Sequence, residues 1–521
     1  MRPVFYQRPF LAAPQPAATG SLAFTVGPYA HHAVGGPRRA EITATGGVAD
    51  LLALPELLRC PVEIYDNDGQ LVWWGLVNEV RMEVGALTLS TSLDQMANRV
   101  AVAYTLVEAG EEGVGVRATT EWAEDAFSAA EYGVRELLDS LSGVSPQQAE
   151  AHRDRALLER AQPRARLRRV SPVAKAQPSA TIYAVGWWET LGWRYASVPV
   201  ALALAYETGG SEVSVGELAT REAVAQSFDL GAAAVNAQAV EIQVRKVGNP
   251  TDNLTVKLYT NVDDSAPDTE LVSASIDGST LTTEATWTRF TFSAAEELTA
   301  GGTYFLTVER SGAVDPDNYY AVTVDPAAGY ANGVGRAYDG TTWNDLDYSL
   351  NFRVYDNAIL PTSQQIASLL ANYGQFFSRV QVEVDSGIST ESYRDGDADA
   401  LTEIETLLES GTSAGVRMLA AVDPHRRVRV YSEPDPSDAL RLSLDGTLTD
   451  MYGGAVKKST CPAGVWARII DGPGLGLDAT RMGDASLNFL TETEYDPRTD
   501  RLTIISRGAE DDYDMGGVHA G

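Results

Sequence analysis

The sequence predicts a multidomain, β-rich α+β protein in which antiparallel β domains with helices are interrupted by a β-sandwich (jelly-roll) insertion. A chain of 521 residues predicts about three to five domains, at roughly 100 to 200 residues each. Helix-type periodicity occurs between 119 and 169 and again after 357. Between 226 and 357 only short alternating segments occur. A mixed host architecture that stops and resumes around an all-β stretch indicates an insertion.

The first segment, 1–110, is predicted to be antiparallel β. Residues 62–65 and 71–76 flank Asp66-Asn67-Asp68-Gly69, which is typical of a hairpin because these residues tolerate tight-turn dihedrals. A second hairpin is expected from 78–84 and 87–91, where apolar and polar residues alternate. Both hairpins predict half-buried strands.

The second segment, 111–175, is predicted to be helical. Apolar residues spaced three or four apart predict one helix, and Pro146 starts a second helix over 147–162. The first helix has the stripe Ala126, Ala130, Val134, Leu137, Leu138 and Leu141. The stretch from Arg153 to Lys175 is the one basic run in an acidic chain.

The third segment, 176–225, returns to β structure, and the fourth, 226–357, is the predicted insert. Core packing is expected for the aromatic cluster Trp187, Trp188, Trp193 and Tyr195. Seven or eight short strands in the insert predict a β-sandwich or jelly roll. The insert contains 19 acidic and 7 basic residues, so its exposed faces should be acidic.

The fifth segment, 358–521, resumes the α/β pattern. Helices are predicted from Thr362 or Ser363 to 372 and over 397–408, with a strand at 376–384. A hairpin is predicted from 416–422 and 427–431.

Composition excludes several classes of protein. A net charge of -31 argues against a large surface for nucleic-acid backbone, which needs clustered Lys and Arg. No apolar run approaches the ~20 residues of a membrane span, and residues 1–20 lack the apolar core of a signal peptide. Cys60 and Cys461 are expected to be buried thiols.

Enzymatic signals in the sequence are weak, and no catalytic residue is predicted. The five histidines lack metal-ligand spacing, and no nucleophile elbow, P-loop or dinucleotide fingerprint occurs. Asp395, Asp397 and Asp399 fit a helix N-terminus better than a calcium loop. No cofactor is expected beyond a structural calcium in the insert. Its candidate ligands are Asp315 and Asp317, with the further loop acids Asp263, Asp264, Asp345 and Asp347.

Aromatic residues of the insert suggest ligand binding. Planar rings beside amide and carboxylate groups can stack on a sugar face and bond its hydroxyls. The alternative is that these rings plug the ends of the sandwich. The candidates are Trp287, Tyr319, Tyr320, Tyr330, Tyr338, Trp343 and Asn344.

Several short segments carry a resemblance to a known family. They are WWGLV (73–77), LSTSLD (89–94), NRVAVAYT (98–105), GWWETLGWRY (186–195), GIST (387–390) and YRDG (393–396). Together they resemble the tail hub, or baseplate hub, proteins of long-tailed phages. In the insert, VRKVG (244–248), LTVKLY (254–259) and SGAVDPDNYY (311–320) are similar to carbohydrate-binding-module-like jelly rolls. The hub resemblance covers about 60–220 and 360–510, and segments 1–110, 176–225 and 358–521 are accordingly predicted to be parts of the hub.

The resemblance implies a trimeric ring at the virion tail tip that closes the tail tube, assembled from protein made in the host cytoplasm. Its implied partners are the tail tube or distal tail protein, the tape measure, a central fibre and a host surface glycan. DNA would pass an acidic channel wall without being specifically bound. Arginines of the basic run would then contact an acidic neighbour, or else form a solvated helix surface. The candidates are Arg153, Arg160, Arg164 and Arg168.

Three functional hypotheses follow from these features. The first is a structural virion protein, a tail-tip hub with a glycan-binding insert for host attachment, and not an enzyme. The alternative is a secreted or surface carbohydrate-binding adhesin. A glycan-cleaving enzyme would need two carboxylates about 5 to 9 Å apart in a cleft, a distance that sequence does not supply.

Overall fold

The computed structural model describes residues 1–8, 14–105, 117–175, 177–261, 266–384, 387–471 and 487–508. Strands account for 50% of the structure and helices for 16%, so the β-rich prediction is confirmed. Within the described ranges, no helix has the length and apolar character needed to cross a membrane.

The N-terminal part of the chain forms strands and one short helix. Asp66 closes the predicted first hairpin by accepting the N–H groups of Asp68 and Gln70 at 2.9 and 2.8 Å. The elements are β1 (Arg2–Phe5), β2 (Ala23–His32), β3 (Gly36–Thr45), α1 (Val48–Ala53), β4 (Pro61–Tyr65), β5 (Leu71–Val84), β6 (Leu87–Ser92) and β7 (Arg99–Thr105). Strand β5 runs unbroken through the two strands predicted at 71–76 and 78–84.

The next part is less helical than predicted. Its elements are β8 (Arg117–Thr119), β9 (Ala123–Glu124), α2 (Ala126–Tyr132), β10 (Glu136–Ser142), α3 (Pro146–Arg160), β11 (Arg166–Val170), β12 (Ser179–Val185) and β13 (Tyr195–Val198). The second predicted helix is confirmed as α3, but the first was wrong beyond Tyr132. Gly133 ends α2 at φ 86°, and β10 then pairs in parallel with β7. Residues four apart, such as Leu137 and Leu141, share a face in a helix and in a strand alike, so spacing alone could not separate the two.

A β-sandwich occupies the middle of the chain. Its strands are β14 (Ala201–Tyr206), β15 (Ser211–Val215), β16 (Ala223–Asp229), β17 (Val235–Val247), β18 (Asn253–Thr260), β19 (Glu270–Asp277), β20 (Thr286–Leu298), β21 (Thr303–Arg310), β22 (Tyr319–Asp325), β23 (Gly335–Tyr338), β24 (Trp343–Leu346), β25 (Ser349–Leu350) and β26 (Phe352–Asp356). The structure moves its start from 226 to Ala201, because β14 pairs with β26 and β15 pairs with β22. Those partner strands are distant in the sequence, so no local sequence pattern indicates that β14 and β15 belong to the sandwich.

The sandwich consists of two sheets around one core. Sheet I contains the order β15-β22-β17-β20, with β14, β25 and β26 added, and sheet II has the order β19-β18-β21-β16-β23-β24. From β15 to β22 the chain exchanges between the sheets at every step except the β18–β19 hairpin, which is a jelly-roll arrangement. The buried residues of both sheets form a core of their own, which includes Phe228, Phe290 and Phe352.

The last part of the chain returns to the body of the protein. Its elements are β27 (Ile359–Pro361), α4 (Thr362–Tyr373), β28 (Arg379–Val382), β29 (Ser389–Glu391), β30 (Arg394–Asp399), α5 (Ala400–Glu409), β31 (Met418–Val422), β32 (Arg427–Ser432), β33 (Leu440–Ser443), β34 (Leu448–Thr449), β35 (Val465–Ile470), β36 (Leu487–Asp496) and β37 (Arg501–Gly508). Helix α5 starts later than predicted because Arg394–Asp399 pairs with β13, and Asp399 then caps the helix through the Thr402 N–H at 2.9 Å.

One large sheet, the body sheet, joins the two ends of the described chain. It has 13 strands among the described residues, and β2 pairs with β36 so that Tyr29 lies opposite Tyr495. Its core also includes α4, α5, β31 and β32. Trp187, Trp188 and Trp193 are buried in this core, as predicted, although they lie in a 3-10 helix. Cys60 and Cys461 are buried free thiols, also as predicted.

Candidate functional site

The outer face of sheet II has a floor of small side chains. Val224 and Leu306 belong to the sandwich core, so by strand alternation Ala223, Ala225 and Thr307 lie on the outer face. All three are nonetheless buried, and the hydroxyl oxygen of Thr307 has no hydrogen-bond partner in the structure. Neighbouring side chains of the outer face therefore cover these small residues.

Two aromatic rings border this floor. Tyr338 lies opposite Ala223 on one side and opposite Trp343 on the other, so all three share the outer face. The Tyr338 and Trp343 ring centroids are 5.1 Å apart with planes at 41°, and both residues are half-buried. Among the described cations, none lies over either ring in the observed cation–π contacts.

The turn between these rings is held by Asp339. Its carboxylate accepts the N–H groups of Thr341 and Thr342 at 3.0 and 2.8 Å. These bonds, with those from the Thr341 hydroxyl and the Asn344 amide, hold the pKa of Asp339 far below its usual range. Hydrogen-bonded turns of this kind fix the two ring-bearing strands relative to each other.

Asn344 does not lie on the same face as the Tyr338 and Trp343 rings. It lies opposite Ala337, which alternates with Tyr338 and therefore points to the other face. Its amide donates to Asp339 Oδ2 at 3.0 Å and supports the turn. Strand alternation thus separates Asn344 from the two rings, although the three residues are close in sequence.

Polar groups lie across the floor from the rings. Glu309 is opposite Ala223, and Lys257 is opposite Thr307, so both share the outer face. Burial opposes the charge on Lys257, but Glu309 and Glu270 outweigh burial and raise the pKa of its ammonium group. Neighbouring strands are about 4.8 Å apart, so the ring pair and Glu309 are separated by roughly 10 Å, the length of two sugar units.

Arg336 also lies on the outer face of sheet II. It lies opposite Ala225 and Asp345, and it forms an ion pair with Asp345. Sequence reasoning missed Arg336, Lys257, Thr307 and Glu309. The sequence could have indicated Arg336 through its position. It precedes Tyr338 by two residues in the same strand, and residues two apart in a strand share a face.

The outer face of sheet I carries the predicted residue Trp287, but its ring is covered. The Arg353 guanidinium lies over the Trp287 ring at 3.9 Å and bonds Glu241 at 2.9 Å. Glu241 also accepts from Tyr355 at 2.7 Å and from Arg289 at 3.1 Å. Burial alone would raise the pKa of Glu241, but its bonds to Tyr355 and Arg353 lower it overall. These five residues form a closed cluster.

Two other predicted ligand residues belong to the core. Tyr320 is 0% exposed and donates its hydroxyl to the Asp252 carbonyl at 2.6 Å. Tyr330 is 8% exposed and packs against Tyr206, and burial raises its pKa to about 12. Neither can stack on a ligand, so these two predictions were wrong. Tyr319, the first residue of β22, is half-buried and lies apart from the Tyr338–Trp343 pair.

Hydrogen bonds of Asp315 stabilise the loop that carries the predicted calcium ligands. Asp315 accepts the N–H of Asp317 at 2.9 Å and the Asn318 amide at 3.0 Å. Within the described ranges, no group of three or more His, Cys, Asp or Glu side chains is placed to hold a metal. Asp345 is paired with Arg336, whereas Asp263 and Asp264 lie outside the described residues.

The predicted contact arginines are dispersed. Arg153 bonds Asp154 and the Glu121 carbonyl, at 2.8 and 3.1 Å, so it is used within the chain. Arg164 bonds the Leu158 carbonyl at 3.0 Å, and Arg168 bonds the Ser90 hydroxyl at 2.6 Å. Arg160 is exposed in the last turn of α3.

A cleft of about 630 Å³ lies in the body, between the end of α5 and β35. It is lined by Glu409, Arg417, Glu433 and Trp466 among others. Burial raises the pKa of Glu433, although Arg507 opposes the shift.

Comparisons with known proteins identify no family. No family model matches the chain, and no curated protein matches it. Among solved structures, it is similar to a glycoside hydrolase family 43 arabinoxylan arabinofuranohydrolase from Bacillus subtilis, at 8% identity and a TM-score of 0.14, covering 55% of this chain and 63% of that one.

Two further solved structures are similarly distant. An insecticidal delta-endotoxin from Bacillus thuringiensis matches at 7% identity and a TM-score of 0.15, covering 65% of this chain and 54% of that one. An infectious bursal disease virus subviral particle protein matches at 7% identity and a TM-score of 0.14, covering 65% and 80%. The chain thus spans less than two thirds of the first two chains.

Proposed function

We propose that this protein is a structural component of a phage tail tip, a hub whose inserted jelly roll binds a host glycan through the outer face of sheet II. The hub assignment rests on the resemblance of the body segments to tail hub proteins. It is supported by a body sheet that both ends of the described chain build together.

One observation carries the attachment role: the adjoining, half-buried rings of Tyr338 and Trp343 on the outer face of sheet II. Flat rings bind the apolar face of a sugar, while Glu309, Lys257 and Arg336 offer partners for its hydroxyls. The sandwich has its own core, so a ligand on this face need not disturb the body.

Mass photometry of the full chain tests the hub role. We expect a closed oligomer, with a trimeric ring as the implied form, at micromolar concentration. A monodisperse monomer that no tail protein assembles would contradict the hub role. Pelleting with host cell-wall polysaccharide tests attachment separately, and absence of the protein from every pellet would contradict it.

The same face also supports the alternative of a carbohydrate-binding adhesin. Labelling with an antibody against the protein separates the two functions. The hub predicts label at the tips of phage tails, whereas the adhesin predicts label on the bacterial surface.

A further inference from the structure

A two-stranded ribbon of β6 and β11 at the edge of the body sheet is exposed along β11. Strand β11 pairs only with β6 among the described strands, and all five of its residues are exposed. Natural proteins usually cover, shorten or charge such edges. Strand β11 is charged in this way, because three of its five residues are arginines, but it also carries two exposed apolar side chains.

One side of the ribbon continues the apolar face of the body sheet. Leu89 lies opposite Met82, which is in the body core, and opposite Leu167 on its other side. Leu87 likewise lies opposite Val170. Because facing residues share a side, these side chains form one apolar strip. At the ribbon this strip is no longer covered by other residues. Leu87, Leu167 and Val170 are 42%, 58% and 62% exposed there.

The other side of the ribbon is basic. Arg166 lies opposite Ser90 and Arg169 opposite Thr88, which places both arginines on the side away from the leucines. In the described part of the chain, neither arginine has an ion-pair or hydrogen-bond partner. Residues 160–175 contain six basic and no acidic residues, whereas the whole chain carries -31.

We propose that this ribbon is the contact with a second copy of the chain and inserts against an acidic surface of that copy. An exposed apolar strip beside arginines is typical of a protein interface. A basic ribbon complements a chain whose other surfaces carry the acidic excess. The contact joins two different surfaces, so it can repeat around a ring. It rests on the tail-hub proposal for the ring itself.

Mass photometry of full-length variants over a concentration series tests this contact. Leu167→Asp with Val170→Asp places two charges on the apolar strip, and Arg166→Glu with Arg169→Glu reverses the basic side. The matched control is Leu218→Asp, which charges an apolar residue of the sandwich that is 43% exposed. Since the altered side chains are exposed, each variant should keep the wild-type thermal midpoint.

We expect the apolar-strip variant to dissociate at about a hundredfold higher concentration than the wild type and the basic-side variant at about tenfold higher, since each tenfold is about 1.4 kcal/mol. Added salt should weaken the wild-type ring and spare the charge-reversed variant. Wild-type assembly with both variants unaffected would overturn this contact and leave the hub proposal standing. A wild type that stays monomeric even when tail proteins are added would overturn both.

Discussion

The two outer faces of the sandwich carry the same kinds of side chain but differ in what covers their rings. On sheet I, Arg353 lies on Trp287 and Glu241 joins Arg353 to Tyr355. On sheet II, Tyr338 and Trp343 contact each other and border small residues. The ring of Trp287 is thus already occupied by an intramolecular cation, which is why the proposed binding face is on sheet II and not on sheet I.

The largest effect on this comparison is expected from Glu241→Ala. The change removes the acceptor shared by Arg289, Arg353 and Tyr355. Because charge-assisted bonds to a largely buried carboxylate are lost, we expect the free energy of unfolding to fall by about 2 to 3 kcal/mol. Urea unfolding measures it. An unchanged free energy of unfolding would mean that the Glu241 cluster on sheet I does not contribute to stability.

A smaller effect is expected from Trp287→Ala. It removes the cation–π contact with Arg353 and should lower the free energy of unfolding by about 1 to 2 kcal/mol. Glycan affinity should stay at the wild-type value in the same preparation. A loss of affinity with stability preserved would assign binding to sheet I.

Lowering the pH should reduce the free energy of unfolding through protonation of Glu241 on sheet I. Its pKa is lowered in the folded protein, so the stability it contributes is present above its ordinary value, about 4.3, and is lost as the pH falls through the folded pKa. Thermal midpoints between about pH 3 and 7 should therefore fall less steeply in Glu241→Ala than in the wild type. Identical slopes would exclude this contribution.

The smallest effect is expected from Asn344→Ala. The amide supports the Asp339 turn from the face opposite the rings, so we expect a stability loss of about 0.5 to 1 kcal/mol. Affinity for glycan should be unchanged. A tenfold loss of affinity would return Asn344 to the binding face.

Alternation within strands was predictable from the sequence, whereas the pairing of distant strands was not. Tyr319 and Tyr320 are adjacent in an aromatic loop-like stretch, yet only the register of β22 shows that Tyr320 enters the core. The strands at Ala201–Tyr206 and Ser211–Val215 joined the sandwich only through partners more than a hundred positions away. Likewise, the face of Tyr338 was fixed by pairing with Ala223.

Calorimetric titration of a host-derived oligosaccharide tests the central claim most directly. The proteins compared are the wild type, Tyr338→Ala with Trp343→Ala, and Trp287→Ala. The account predicts that the paired variant loses at least tenfold in affinity while Trp287→Ala binds like the wild type. Wild-type affinity in the paired variant would contradict the assignment of binding to the outer face of sheet II.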